Sequence, residues 1–199
     1  MNDKTRVRQF WNERPLGTLD IDISPYTREF FINHEKRYEE EIKFMRFSPE
    51  ELKGKLVLDV GCGVGFWLRK LARNGVKVMG VDISEKSVKI AKKSLDIFGL
   101  KAYLVVGDAE NLPFKDNTFD AVISFGVLHH TPDTQRGIGE IYRVLKRGSK
   151  AFISLYYRNI FLRKQIFPLI VFMMRIFSIR PKGREKIVYS ESPEEFVRM

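Results

Sequence analysis

The chain has 199 residues, 44% of them hydrophobic, and a formal net charge of +10 from 35 basic and 25 acidic side chains. This length suits one domain with a substantial core, and the single cysteine, Cys62, excludes an internal disulfide. The start is polar, unlike a signal peptide, and no stretch reaches the ~20 apolar residues that span a bilayer. These features predict a cytoplasmic protein.

The first fifty residues do not follow the pattern of the rest of the chain. Residues 10–18 are turn-rich and carry the large aromatics Phe10 and Trp11. From Tyr26 to Phe47, large apolar residues recur every three or four positions, which predicts a helix with one apolar stripe. We expect most of this stripe to pack against the protein core.

In the middle of the chain, predicted strands and helices alternate. Strand-like runs end at Asp59 and Asp82 and recur at 102–106, 121–125 and 150–156. Alternating strands and helices require a parallel sheet with right-handed crossovers, so the sequence predicts a doubly wound α/β fold. Four residues of the last helix are expected to share one face: Ile138, Ile141, Tyr142 and Leu145.

The most informative stretch is 56–65, where an apolar run ends in Asp59 and a glycine turn follows at once. This is how a buried parallel strand opens into a ligand-cradling loop at the start of a helix. Asp82 ends the next strand 21 positions after the first glycine, the separation that places an acid on the ribose hydroxyls of a nucleoside cofactor. The glycines of the turn are Gly61, Gly63 and Gly65. The segment is therefore predicted to bind a nucleoside.

Two nucleoside cofactors compete for this loop: a dinucleotide such as NAD, and S-adenosylmethionine. The dinucleotide motif G-x-G-x-x-G would require a glycine at position 66, which is Phe66. A pyrophosphate prefers a positive helix N-terminus without a nearby anion, and Asp59 would repel it. S-adenosylmethionine carries an ammonium and a sulfonium, and a carboxylate accepts the ammonium in a charge-assisted hydrogen bond. Asp59 therefore favours S-adenosylmethionine.

Four motifs occur in order at successive strand ends. They are VLDVGCGVG at 57–65, GVDIS at 80–84, GDAENLPF at 107–114, and FDAVIS followed by LHHTPD at 119–124 and 128–133. With these motifs the chain resembles the class I S-adenosylmethionine-dependent methyltransferases from about residue 56 to residue 157. Within that class it resembles the small-molecule branch that includes the quinone-biosynthesis enzymes.

The resemblance implies an organisation of the chain. Residues 51–157 would form the Rossmann-like cofactor-binding core, with strand order 3-2-1-4-5, and residues 1–50 a helical lid over the cofactor. Residues 158–199 would form a basic, apolar cap. Members of the family usually add two final antiparallel strands, and the stretch after residue 157 does not supply both. We therefore expect these strands to be missing or incomplete and the chain to be truncated.

The resemblance also implies roles around the methionine portion of the cofactor. The three glycines would let the backbone approach it closely, in conformations that a side chain forbids. Cys62 is expected to be a small filler of the turn rather than a nucleophile. The backbone carbonyl of Phe125, at the end of the fourth strand, would meet the ammonium together with Asp59.

The nucleoside portion would contact the next two strand ends. Asp82 is expected to accept hydrogen bonds from both ribose hydroxyls, and Ile83 to present an apolar face to the adenine. The Asp108 carboxylate would accept a hydrogen bond from the exocyclic amine of the adenine. A backbone N–H at Ala109 would serve a ring nitrogen.

Two adjacent histidines, His129 and His130, are the candidate catalytic residues. They follow the fourth strand, a place that faces the methyl group in related folds, and a histidine titrates near neutral pH. The alternative is that they pack and hydrogen-bond, since a sulfonium is already an activated electrophile and positioning can supply much of the acceleration. If one of them is a base, we prefer His130.

The acceptor is predicted to be a small molecule, lipid-like or quinone-like, and no metal is expected. Amino methyltransferases of nucleic acids carry an Asn/Asp-Pro-Pro-aromatic motif where this chain has SFGV at 124–127, and cytosine C5 enzymes need a nucleophilic cysteine. Both chemistries are disfavoured, although another RNA methylation stays open. A non-catalytic methyltransferase-like binding subunit is the other alternative.

The segment from Ala151 to Ile187 holds eight basic side chains and one acidic one. Such a segment suits either a cap over a hydrophobic acceptor or peripheral contact with an anionic membrane through residues 158–184. A solvated surface is the simpler interpretation.

Overall fold

The computed structural model describes residues 3–18, 21–42 and 47–155, and the predicted cap at 158–199 lies outside them. The described helices and strands belong to one compact unit. In chain order they are α1 (Asp3–Glu13), α2 (Arg28–Ile42), β1 (Leu56–Val60), α3 (Phe66–Arg73), β2 (Lys77–Asp82), α4 (Glu85–Phe98), β3 (Tyr103–Val106), β4 (Phe119–Phe125), α5 (Thr134–Val144) and β5 (Leu145–Ser154). Short 3-10 turns lie at Pro49–Leu52 and Leu128–His130. None of these helices is long and apolar enough to cross a bilayer.

The five strands form one parallel sheet in the order β3-β2-β1-β4-β5, which confirms the prediction. The strand order reverses between β1 and β4, and ligands of doubly wound sheets bind in the crevice at such a switch point. Asp59 pairs in register with Gly80 on one side and with Ile123 on the other. The sequence therefore places this acid at the carboxyl end of the central strand.

Both faces of the sheet are covered, which explains the continuous apolar runs of its central strands. On one face, Val57 belongs to a cluster that includes Leu68 and Leu71 of α3. On the other face, Leu58 belongs to a cluster that includes Ile141 of α5. All of them are at most 1% exposed. The rigid core thereby fixes the strand ends that carry the polar residues.

The inward face of α5 differs from the prediction. Ile138 and Tyr142 are 41% and 82% exposed, whereas Gly137, Ile141 and Val144 are buried. A Cβ at position 137 would lie 3.0 Å from the Leu128 side chain, so the missing side chain lets this face of the helix approach the 3-10 turn. Two sets of residues at helical spacing share Ile141: one with Ile138 and Tyr142, and one with Gly137 and Val144. The close approach at Gly137 turns the second, less apolar set toward the core.

Two other boundaries also differ. Residues 10–13 continue helix α1 instead of forming a turn, and β5 begins at Leu145 rather than near residue 150. The register between β4 and β5 is irregular near Phe119 and Ala121, which accommodates the extra strand residues. The polar sequence of α1 hides its helical nature, because only Val7, Phe10 and Trp11 mark one side of it.

Candidate functional site

A cavity of about 1010 Å³, including its open mouth, lies at the carboxyl ends of β1, β2 and β4. Ten of the twelve residues predicted from the sequence line it: Asp59, Gly61, Cys62, Gly63, Asp82, Ile83, Asp108, Ala109, Phe125 and His130. The other two, Gly65 and His129, do not line it. The chain thus brings the ends of separate strands to one place, as the motifs predict.

Asp59 is a buried carboxylate of this cavity with an oxygen that is unpaired among the described residues. Its side chain is 2% exposed, and Oδ2 has no hydrogen-bond partner within the described part of the chain. Burial, with the nearby Asp82 carboxylate, raises the pKa of Asp59 well above its usual range. A buried carboxylate without a partner costs free energy, and a bound cation would offset that cost. The site therefore fits a ligand that carries an ammonium group.

Asp82 holds the glycine-rich turn in place. Its Oδ2 accepts a hydrogen bond from the Gly63 N–H at 2.8 Å, and its Oδ1 accepts one from the Ser84 N–H at 2.8 Å. Burial raises the pKa of Asp82, although these two hydrogen bonds oppose the shift. Each carboxylate oxygen accepts more than one hydrogen bond, so Asp82 retains acceptor capacity toward the cavity that it lines.

The glycines of the turn serve different purposes. Gly63 borders open space, where a Cβ would meet nothing within 4 Å, so a ligand can approach its backbone. Gly61 has φ +78°, and a Cβ there would overlap the Val127 side chain. Gly65 caps α3 with φ +85° and packs closely against Ala91 of α4. Gly65 therefore shapes the turn without lining the cavity.

Replacing Gly61 by alanine is expected to lower the free energy of unfolding by about 2 kcal/mol, because the positive φ and the overlap with Val127 both oppose a side chain. Urea denaturation measures this cost. Adding Val127→Ala should recover the part due to overlap. Equal losses for the single and the double variant would show that the overlap has no effect.

Cys62 is buried in the turn. Burial, with the Asp82 and Asp59 carboxylates, raises the pKa of its thiol well above the usual range. The thiolate is the nucleophilic form of cysteine, so this environment opposes nucleophilic catalysis and agrees with a filling role.

Helix α1 covers the cavity and lies in the segment expected to be a lid, although residues 10–13 were predicted to be a turn rather than part of a helix. Val7 and Trp11 line the cavity, and the Trp11 ring lies 5.2 Å from the His130 ring. The Ser84 hydroxyl donates to the Trp11 carbonyl at 3.1 Å and so ties the end of α1 to the start of α4. The spacing of Lys4, Val7 and Trp11 was the available signal, because it places all three on one helical face.

The other end of α1 is held by Lys4. Its Nζ lies 2.6 Å from Asp108 Oδ2 and 2.8 Å from Glu110 Oε2, and the first of these hydrogen bonds is the main cause that raises the Lys4 pKa. The Glu110 side chain is 2% exposed, and its Oε1 accepts a hydrogen bond from the Asp133 N–H at 2.7 Å. The Asp108 carboxylate, which is predicted to accept a hydrogen bond from adenine, thus contacts a lysine, and a bound adenine would share the carboxylate or displace the lysine.

Replacing Lys4 by methionine is expected to release α1 from the cavity. The pair is partly exposed and screened by water, so we expect about fivefold faster amide exchange in α1, with no change in β1. Hydrogen–deuterium exchange measures this difference. Arg8→Met, an exposed change on the same helix, should leave the exchange unaltered. Equal effects of the two variants would contradict the role of Lys4.

The two candidate catalytic histidines are placed differently. His130 lines the cavity, and its ring centroid lies 4.0 Å from that of His129. His129 is half-buried, and burial lowers its pKa. His130 is therefore the better placed of the two to touch a ligand.

Comparison with known proteins places this geometry in a family. Residues 58–153 match the family model described as a methyltransferase domain. The ubiquinone biosynthesis O-methyltransferase of Coxiella burnetii (strain Dugway 5J108-111) is 35% identical over 147 residues, which cover 74% of this chain and 62% of that protein. Residues 58–153 therefore belong to the class I S-adenosylmethionine-dependent methyltransferase family.

Two further relatives agree with this family. Norajmaline N-methyltransferase of Rauvolfia serpentina is 35% identical over 173 residues, covering 77% of this chain and 59% of that protein. The crystal structure of magnesium protoporphyrin IX methyltransferase from Synechocystis PCC 6803 with bound S-adenosylmethionine is 27% identical with a TM-score of 0.55, covering 73% of each chain. The chain thus spans about three fifths of the length of the curated relatives it matches.

The sequence also missed a group of aromatic residues at one end of this cavity. His34 and Tyr38 of α2 and Phe66 and Trp67 of α3 line it there, near Phe125. His34 and Tyr38 belong to the apolar stripe of α2, but a stripe alone does not tell which of its residues meet a cavity and which meet the core.

Proposed function

We propose that this chain is an S-adenosylmethionine-dependent methyltransferase that acts on a small-molecule acceptor. The observation that carries the proposal is the buried Asp59 carboxylate, whose Oδ2 has no partner in the described residues and which lines a cavity together with Asp82. Such an anion suits the ammonium of S-adenosylmethionine and disfavours a diphosphate. The family and its cofactor support this choice.

In this proposal, each strand end holds a different part of the cofactor. Asp59 binds the ammonium, together with the backbone carbonyl of Phe125, and Asp82 binds the ribose hydroxyls. Ile83 and Ala109 contact the adenine, and Asp108 accepts a hydrogen bond from its amine. When bound, the cofactor supplies a methyl group on a positively charged sulfur.

The chain's own contribution is then to position the acceptor and to exclude water. Trp11 of α1 and His130 stand on the side of the cavity that α1 covers. His130 is the first candidate to receive a proton from the acceptor, with His129 as its neighbour. Relatives of the chain are named for ubiquinone, alkaloid and porphyrin methylation, so we propose an acceptor that contains a ring. The cytoplasmic location and the membrane contact of residues 158–184 stay predictions.

A methyl-transfer assay tests the enzymatic role. We expect label from S-adenosyl-[methyl-³H]methionine to reach one member of a panel of phenolic and quinol acceptors, with stoichiometric release of S-adenosylhomocysteine. Transfer to RNA instead of these acceptors would favour RNA methylation. Saturable cofactor binding without transfer to any acceptor would favour a non-catalytic binding subunit.

A further inference from the structure

One end of the cavity is walled by aromatic rings from three elements. Neighbouring centroids lie 4.5 Å apart between Tyr38 and Phe66, 5.1 Å between Phe66 and Trp67, and 5.0 Å between Trp67 and Phe125. All four rings line the cavity. Rings at such distances form a continuous apolar surface that suits another planar ring. Asp82 ends β2 and Asp108 follows β3, so the strand order places both acids on the other side of β1 from Phe125 of this aromatic end.

Two buried polar atoms of the aromatic end lack a hydrogen-bond partner within the described part of the chain: His34 Nδ1 and Trp67 Nε1. Both residues are 6% exposed, and both line the cavity. Buried polar atoms are normally hydrogen-bonded, so each such exception calls for an explanation. A ligand that enters this end would supply the missing partner.

The His34 imidazole is held in its neutral form. Its burial, followed by the charges of Arg69 and Arg37, lowers the His34 pKa to about 4. The ring stacks on Tyr38 with an interplanar angle of 9° and a centroid distance of 5.9 Å. A neutral imidazole has one nitrogen that accepts a hydrogen bond, and an indole N–H only donates. A ligand hydroxyl can donate to the imidazole nitrogen, and a ligand oxygen can accept from the indole N–H.

We propose that the aromatic end of the cavity binds a planar aromatic acceptor and that His34 selects it by accepting a hydrogen bond from its hydroxyl group. The inference rests on the proposed function, in which Asp59, Asp82 and Asp108 are taken by the cofactor. The aromatic end then remains for the acceptor. His34 is a specificity-determining residue of that site.

The same surroundings disfavour other acceptors. A carboxylate would lose its hydration against the ring wall without gaining an opposite charge from His34. A methyl ether of the same ring fits by shape, but it offers no hydrogen-bond donor to the imidazole nitrogen of His34. A site built to hydrogen-bond a hydroxyl rejects an analogue that lacks the donor, because its own buried polar atom stays unpaired.

Direct binding to the protein saturated with S-adenosylhomocysteine tests the proposal. We use 2-naphthol as the aromatic hydroxyl and 2-methoxynaphthalene as the matched ether, and we follow both by isothermal titration. The expected result is about tenfold tighter binding of 2-naphthol, equivalent to one hydrogen bond of ~1.4 kcal/mol. Equal binding of the two ligands to the unmodified protein overturns the proposal.

Variants locate the source of the preference. His34→Leu should bind both ligands equally, and His34→Gln should keep part of the preference because its carbonyl accepts a hydrogen bond. If the leucine variant fails to fold, the glutamine variant still decides, since an undiminished preference there contradicts a role of the imidazole. Tyr38→Leu should weaken both ligands alike through lost stacking.

Two further outcomes overturn the proposal. The first is that His130→Leu, and not His34→Leu, removes the preference, because His130 lines the same cavity. The second is that S-adenosylhomocysteine displaces 2-naphthol, which would assign the aromatic end to the cofactor. Failure of the proposed function has a different signature, since S-adenosylhomocysteine itself would then not bind.

Discussion

Replacing Asp59 by asparagine is expected to weaken binding of S-adenosylhomocysteine by about 100-fold. The cofactor product keeps the ammonium, and the variant loses the buried anion that would receive it in a charge-assisted hydrogen bond worth ~3 kcal/mol. Isothermal titration measures the affinity. Asp96→Asn, an exposed change on α4, serves as the matched control and should leave the affinity unchanged.

We also expect the binding of S-adenosylhomocysteine to depend on pH through Asp59. Burial raises the pKa of Asp59 in the free protein, whereas a bound ammonium favours the ionised form and lowers this pKa. At a pH between the two pKa values, binding should therefore release a proton. The affinity should be full above the pKa of Asp59 in the free protein and should fall as the pH drops below it. In Asp59→Asn this proton release should disappear; an unchanged release would assign it to another group.

Replacing Arg69 by methionine is expected to lower the free energy of unfolding by about 3 to 5 kcal/mol, the usual cost of removing one partner of a buried ion pair. The side chain is fully buried, and burial lowers its pKa only to about 10, so it stays charged at neutral pH. Its Nη1 donates to the Val64 carbonyl and to Ser94 Oγ, each at 3.2 Å. Its Nε pairs with Glu35 at 3.4 Å. Urea denaturation measures the loss.

Arg73 provides the matched control for Arg69. It contacts the same carboxylate, Glu35, but its side chain is 38% exposed. Exposed ion pairs contribute little, so Arg73→Met should cost less than about 1 kcal/mol. Equal costs for the two variants would contradict the view that burial, and not the pairing alone, makes Arg69 important. The Arg69 variant should also loosen α2, because Glu35 belongs to that helix.

The sheet and the cofactor motifs could be predicted because local sequence encodes them. Apolar runs that end in Asp59 and Asp82 mark buried parallel strands, and Ser84 and Gly99 mark the two ends of α4, where the structure shows a side-chain cap and a left-handed residue. Parallel strands share one edge at their carboxyl ends. The position of each motif at the end of a strand was therefore enough to predict that the motif residues meet at one cavity.

The residues that the sequence did not reveal act across long distances in the chain. Lys4 meets Asp108 from 104 positions away, and Arg69 meets Glu35 and Ser94 from two different helices. Their types and spacings resemble those of solvated charged residues, so no local pattern distinguishes them. His34 is similar, since its stripe predicts burial but not which cavity or partner the ring meets.

The two faces available to α5 illustrate the same limit. Periodicity favours Ile138 and Tyr142, which the structure exposes, over Gly137 and Val144, which it buries. The choice depends on the close approach of Gly137 to Leu128, a residue of the 3-10 turn that precedes α5. Hydrophobic periodicity therefore predicts the helix correctly, but it predicts the wrong face of α5 toward the core.

The identity of the nucleoside is the central claim, and a paired titration tests it most directly. The unmodified chain is titrated with S-adenosylhomocysteine and, separately, with NADH under the same conditions. We predict saturable binding of one S-adenosylhomocysteine per chain and no binding of NADH over the same concentration range, because Asp59 attracts an ammonium and repels a diphosphate. Tighter binding of NADH than of S-adenosylhomocysteine would contradict the assignment.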